Sequence, residues 1–273
     1  LTQIFGNSPA QSKLKVALDS SARSLCLTGP SHVGKATFLR DTLSELTAET
    51  DLFLADKSID SAREAVEFCK THPLSSPNRY VIVDDAHTMT EAAQDAYLKL
   101  LEQPGDHSCI VFVVPDDGLL QPAIRSRFRC TIRWKLLSLM EMRNFAVAFG
   151  SGEDSKALIL CGGRPGLFHA MFENEGGTKH AELFDILMRA CEGKASLLTD
   201  SVPEVVKEAK EPLQRECVAH VCREAALTAA KFKKATTDQL VTILRYSSAL
   251  LSVPSASAEI HWLRMATHLV SLV

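Results

Sequence analysis

Through the first half of the chain, runs that are apolar at nearly every position alternate with stretches whose apolar residues return every three or four positions. The apolar runs cover 24–28, 52–55, 80–84 and 110–114, with a weaker one at 131–134. Short runs separated by helical patterns predict parallel strands joined by crossover helices, an α/β arrangement. The runs at 80–84 and 110–114 are apolar on both parities, which predicts central strands covered on both faces. After Trp134 the strand signals fade. The remainder reads as helices separated by breaks near 150–153, 162–166, 174–178 and 199–203, with a small helical piece first and a larger bundle from Lys179 onward. Leu213, Cys217, Val221 and Ala225 recur every four residues and predict one buried stripe.

Composition narrows the class of molecule. In 273 residues, 46% are hydrophobic and 23% charged, which excludes a disordered or collagen-like chain, and only 6% are aromatic, which predicts an aliphatic core. The formal charge of −3 gives no general attraction to nucleic acid or anionic lipid. The basic cluster Lys231, Lys233 and Lys234 reads as a solvated helix end before it reads as a nucleic-acid site. The eight cysteines include no C-x-x-C pair and mostly sit in apolar runs, as expected of buried free thiols in a reducing compartment. No basic segment followed by an apolar stretch opens the chain, and no apolar run nears the roughly 18 residues of a membrane span. The expectation is a cytoplasmic protein with no membrane partner.

The most specific motif follows the first strand. Gly29, Pro30, Ser31, His32, Val33, Gly34, Lys35, Ala36 and Thr37 fit G-x-x-x-x-G-K, with a helix predicted over 38–46. Glycines at both ends let such a loop fold back so that successive backbone N–H groups face phosphate oxygens, while the helix N-terminus and the Lys35 ammonium add positive potential. ATP or ADP with Mg²⁺ is the expected ligand. In an intact motif the residue after the lysine is Ser or Thr, whose hydroxyl ligates the Mg²⁺; Ala36 supplies a methyl group. Thr37 lies about 100° further round the helix and cannot stand in.

The run at 80–84 ends in Asp84 and Asp85. Asp84 is the candidate metal ligand, directly or through water. Asp85 stands where a Glu would activate the attacking water, one methylene short, and a misplacement of about an ångström costs on the order of a hundredfold in rate. The alternative is that both acids merely cap the helix start at Thr88-x-x-Glu91. The run at 110–114 ends without a Thr, Ser or Asn to contact a γ-phosphate.

Taken together with Ile59-Asp60-Ser-Ala-Arg63, the 84–90 turn, the stretch 93–104 and Leu119-Leu-Gln-Pro-Ala-Ile-Arg-Ser-Arg127, these motifs resemble clamp-loader subunits of the AAA+ class, above all the bacterial delta-prime and gamma subunits of DNA polymerase III. The resemblance implies a P-loop parallel-sheet domain over 1–137, a helical lid over 138–177 and an all-helical collar over 178–273. It implies other clamp-loader subunits, a sliding clamp and primer-template DNA as partners. Relatives often carry a cysteine-ligated zinc module between the first two motifs; only Cys69 lies between Lys35 and Asp84, so no zinc is expected.

Ser126-Arg127 resembles the family's Ser-Arg-Cys motif, with Phe128 in place of Cys. The resemblance implies that Arg127 reaches a neighbouring subunit's ATP, where a guanidinium stabilises developing γ-phosphate charge. The alternative is a surface ion pair, and Arg125 is a weaker candidate for the same role. Arg164, in the lid turn, is out of register for a second sensor. Lys99 either touches a phosphate or pairs with Asp95 at i,i+4. The expectation is a ring subunit whose own site does not hydrolyse ATP. An active ATPase subunit and an initiator or helicase-loader type of AAA+ protein remain as alternatives.

Overall fold

The computed structural model of the protein describes residues 5–20, 22–149, 155–172, 176–200, 202–252 and 258–272. The predicted break at 150–153 lies outside them. The chain divides into two compact units, residues 1–141 and 142–273.

The first unit contains α1 (Ser8–Asp19), β1 (Ser24–Thr28), α2 (Lys35–Leu46), β2 (Leu52–Ala55), α3 (Ile59–Lys70), β3 (Arg79–Val83), α4 (Glu91–Glu102), β4 (Ser108–Val114), α5 (Pro122–Arg125) and β5 (Cys130–Arg133). The strands form one parallel sheet in the order β2-β3-β4-β1-β5. Strand alternation sorts its side chains into two cores. Leu25, Leu27, Val111, Val113 and Ile132 meet Leu14 and Leu39 on one face; Cys26, Val81, Val83, Ile110 and Phe112 meet Ala65, Ala93 and Tyr97 on the other. Every residue of β1, β3 and β4 is buried, which is why their inner positions read as apolar runs; the polar residues Ser24, Thr28, Arg79 and Ser108 lie at the strand ends. Helix α2 begins at Lys35, three residues before the start predicted, so that Lys35, Ala36 and Thr37 form its first turn.

One buried polar group organises the edge near β2. Asp51 accepts the N–H groups of Leu74, Ser75 and Ser76 at 2.8, 2.8 and 2.9 Å, and faces the Arg79 guanidinium at 3.4 Å. Arg79 in turn donates to the Phe68 carbonyl at 2.8 Å and to Thr71, and stacks over the Phe68 ring at 4.4 Å. Burial pushes the Asp51 carboxyl up, but the three amides and Arg79 outweigh it and hold the pKa below the ordinary value.

Helix α6 (Leu139–Ala148) starts on a cap in which the Glu141 carboxylate accepts from the Ser138 amide and hydroxyl at 2.7 and 2.8 Å. The second unit continues with α7 (Ser155–Leu160), α8 (Pro165–Phe172), α9 (Gly176–Cys191), α10 (Leu197–Asp200), α11 (Glu204–Glu208), α12 (Pro212–Lys231), α13 (Thr237–Ser252) and α14 (Ala258–Ser271). Helix α12 is the hub, packing on α7, α8, α9, α11 and α13. Of the predicted stripe, Cys217, Val221 and Ala225 are buried, but Leu213, in the first turn of α12, is 45% exposed. Trp262 is fully buried and donates to the Leu198 carbonyl at 3.2 Å. The predicted break at 174–178 is partly helical, since α9 starts at Gly176.

All eight cysteines are free, and all except Cys130 are buried. Among the described residues no helix is long and apolar enough to cross a membrane.

Candidate phosphate-binding site

In a parallel sheet all strands end at the same edge, so the residues after β1 and β3 emerge together. Only β4 separates β1 from β3, which puts those two strand ends about 10 Å apart. The loop after β1 is shaped by backbone conformations that L-residues rarely adopt: φ is +142° at Gly29, +62° at His32 and +91° at Gly34. Gly29 is obligatory for a second reason, since a Cβ there would lie 2.3 Å from the Trp134 carbonyl oxygen. Lys35 is buried, and its Nζ donates to the carbonyls of Gly29 and Pro30 at 2.5 and 2.8 Å. That tie closes the loop. The amides of Gly34, Lys35, Ala36 and Thr37 donate to no backbone carbonyl among the described residues, which is the arrangement of an anion cradle at a helix start. Val33 is buried under it, Pro30, Ser31, His32 and Ala36 are partly covered, and Thr37 is exposed. Burial lowers the Lys35 pKa to about 8, against the raising effect of Asp84 and Asp85.

The two acids do not act as a pair. Asp84 Oδ1 accepts the Asp85 amide at 3.0 Å and its Oδ2 faces Arg40 Nη2 at 3.3 Å. Asp85 has φ +50°, which swings its carboxylate away to within 3.9 Å of Lys57. Neither acid caps α4; that role falls to Thr90, whose side chain accepts from the Ala93 amide. Arg40 and Lys57 carry no motif signal and are visible only once the chain is folded. At the end of β4, Val113 and Val114 are buried and present no polar group. Among the described residues no three His, Cys, Asp or Glu side chains gather as a metal site.

Arg127 lies at the opposite edge of the sheet. Its carbonyl accepts from Ser24 Oγ at 2.9 Å, and Ser24 is the first residue of β1, whereas the phosphate loop follows the last. Four residues of strand, about 13 Å, separate the two ends. The guanidinium donates through Nε and Nη2 to Glu102 Oε1 at 3.0 and 2.8 Å. Phe128 turns inward, its ring 5.3 Å from that of Phe112. Arg125 and Lys99 are exposed, and no Asp95–Lys99 ion pair forms among the described residues; the acid that finds a cation on α4 is Glu102. Arg164 is half-buried beside α12, where burial and Arg164 together with Arg223 push the His220 pKa down to about 4 and burial pushes Glu224 up. Lys231 sits beside the Phe232 ring and Lys234 pairs with Glu192, in keeping with a helix end.

Residues 43–133 match the protein family described as DNA polymerase III, delta subunit. The gamma/tau subunit of DNA polymerase III from Mycobacterium tuberculosis (strain ATCC 25618 / H37Rv) is 36% identical over 69 residues, 25% of this chain and 12% of that protein. The likeness to the DNA polymerase III subunit family is carried by residues 43–133, a third of the chain. The replication factor C small subunit of Methanothermobacter thermautotrophicus is 33% identical over 92 residues, 31% of this chain and 29% of that protein. A crystal structure of a DNA polymerase III gamma subunit-related protein from Thermotoga maritima shares the fold with a TM-score of 0.55 and 18% identity, over 96% of this chain and 99% of that one. The matching segments thus span 12 to 29% of the length of the curated relatives.

Proposed function

We propose that the protein is a cytoplasmic clamp-loader subunit. It joins a hetero-oligomeric ring with other subunits and helps to open a sliding clamp and place it on primer-template DNA. Its own phosphate loop holds nucleotide without turning it over, and Arg127 serves a neighbouring subunit's ATP. Residues 138–177 act as the lid of the AAA+ module, and the helices from 178 onward form the collar contacts.

The observation that carries this reading is the placement of Arg127. Its backbone is tied to the start of β1, a strand's length from the loop that begins at Gly29. An arginine so placed cannot serve its own site, and its half-exposed side chain is at the disposal of a neighbour. The chemistry at the chain's own loop points the same way: Ala36 offers no hydroxyl to a metal, Asp85 faces Lys57, and β4 ends in valines. Phosphoryl transfer depends on positioning and charge, so these substitutions remove what turnover needs while the cradle for phosphate persists.

The test is turnover in the reconstituted assembly. Arg127→Ala is expected to slow hydrolysis at the neighbouring site by about a thousandfold or more, and Lys35→Ala to slow total turnover far less. The reverse ranking would make the chain an active ATPase subunit instead.

A further inference from the structure

Phosphate loops of this kind ordinarily hold their nucleotide with a divalent cation, and the donor set here does not fit one. The hydroxyl that would ligate Mg²⁺ is the methyl group of Ala36. The remaining candidate ligand, Asp84, is engaged on both oxygens, by the Asp85 amide and by Arg40. Arg40 belongs to α2, the helix that begins at Lys35, so it is fixed to the same element as the cradle. The cation beside Asp84 is therefore part of the chain.

Resting on the reading that the loop is a nucleotide site without turnover, we infer that it takes a nucleoside diphosphate without a divalent cation, with Arg40 supplying the positive charge a metal would bring. Three features agree. Among the described residues the amides of 34–37 have no backbone partner, and Lys35 is already bound to the loop, so the cradle needs no ion to form. Hard divalent cations need oxygen ligands from the protein, from phosphates or from water, and the two protein positions that would contribute are a methyl group and a carboxylate already facing a guanidinium. The buried Val113 and Val114 provide no donor at the end of β4. A third phosphate would bring further negative charge with neither metal nor β4 side chain to meet it, so the diphosphate is the preferred length.

The test is calorimetric titration of ADP and ATP into the full chain, in EDTA and in excess Mg²⁺. The expected result is ADP affinity equal in the two buffers within about threefold, with ATP weaker. Arg40→Ala should weaken ADP binding in EDTA by about tenfold, and Arg40→Lys should recover much of it. Arg40→Ala combined with Ala36→Thr should make binding Mg²⁺-dependent, because it frees Asp84 and restores the hydroxyl. Binding by the native chain that requires Mg²⁺, or an Arg40→Ala chain that binds as well as the native one in EDTA, would overturn the inference. No ADP binding at all would also overturn it while leaving the role of Arg127 intact, since that role is read at a neighbour's site. Mg²⁺-dependent hydrolysis at this loop would overturn both this inference and the claim that the subunit does not turn nucleotide over.

Discussion

Arg127 and Glu102 form a two-donor ion pair on one carboxylate oxygen, with the side chains 45% and 48% exposed. Glu102 is the last residue of α4, where the helix dipole also favours a cation. Exposed pairs of this kind are worth about 0.2–1 kcal/mol, whereas a guanidinium on a transferring γ-phosphate is worth several orders of magnitude in rate. In the role proposed for it, Arg127 has little to lose in leaving Glu102. Glu102→Gln is expected to change ring-stimulated hydrolysis by less than about fivefold, against the much larger loss for Arg127→Ala. Equal losses in the two variants would mean that Glu102 takes a direct part in the neighbour's site.

Phe128, the residue after Arg127, packs into the core beneath the sheet. Tyr97, Phe112 and Phe128 form an edge-to-face series with centroids 5.2 and 5.3 Å apart, so the turn carrying Arg127 is anchored through a ring. Phe128→Cys should destabilise the protein by about 2 kcal/mol in urea unfolding and reduce hydrolysis at the neighbouring site without changing ADP binding at the chain's own loop. Unchanged stability would show that the ring contributes nothing to that anchor.

Gly29 is required both by its φ of +142° and by the Trp134 carbonyl. Gly29→Ala should cost about 3 kcal/mol or more, combining backbone strain with a backbone clash. It should also abolish nucleotide binding. Chemical denaturation monitored by tryptophan fluorescence provides the first readout and calorimetry the second.

Asp51 sets an acid limit on stability. A carboxylate whose pKa is depressed on folding contributes stability above its unfolded pKa, near 3.9, and loses that contribution as the pH falls through the folded value. Asp51→Asn should lower the Tm at neutral pH and flatten the fall in Tm between about pH 5 and pH 2. An acid limb identical to that of the native protein would assign the acid sensitivity to other carboxylates.

Much of the first unit was legible because its signals are local. Apolar runs on both parities mark strands covered on both sides, and the five runs coincide with the five strands to within two residues at either end. The place of the glycine-rich loop was equally legible, since it is one contiguous motif between a strand and a helix. The pairings that define the site were not. Arg40 and Asp84 are 44 residues apart and Glu102 and Arg127 are 25 apart, so no periodicity links them. An i,i+4 rule pointed to Asp95 and Lys99, but the sheet brings Arg127 to the end of α4 and the pairing goes to Glu102. In the second unit, periodicity located the buried stripe of α12 but not where its partners stop, and Leu213 is exposed for that reason.

The central claim is that Arg127 acts across a subunit boundary, and the structure of the assembled ring with a non-hydrolysable ATP analogue tests it most directly. The account predicts that the Arg127 guanidinium leaves Glu102 and lies within hydrogen-bonding distance, about 3 Å, of the γ-phosphate held by the adjacent subunit. A ring in which Arg127 stays on Glu102, remote from any bound triphosphate, would contradict it.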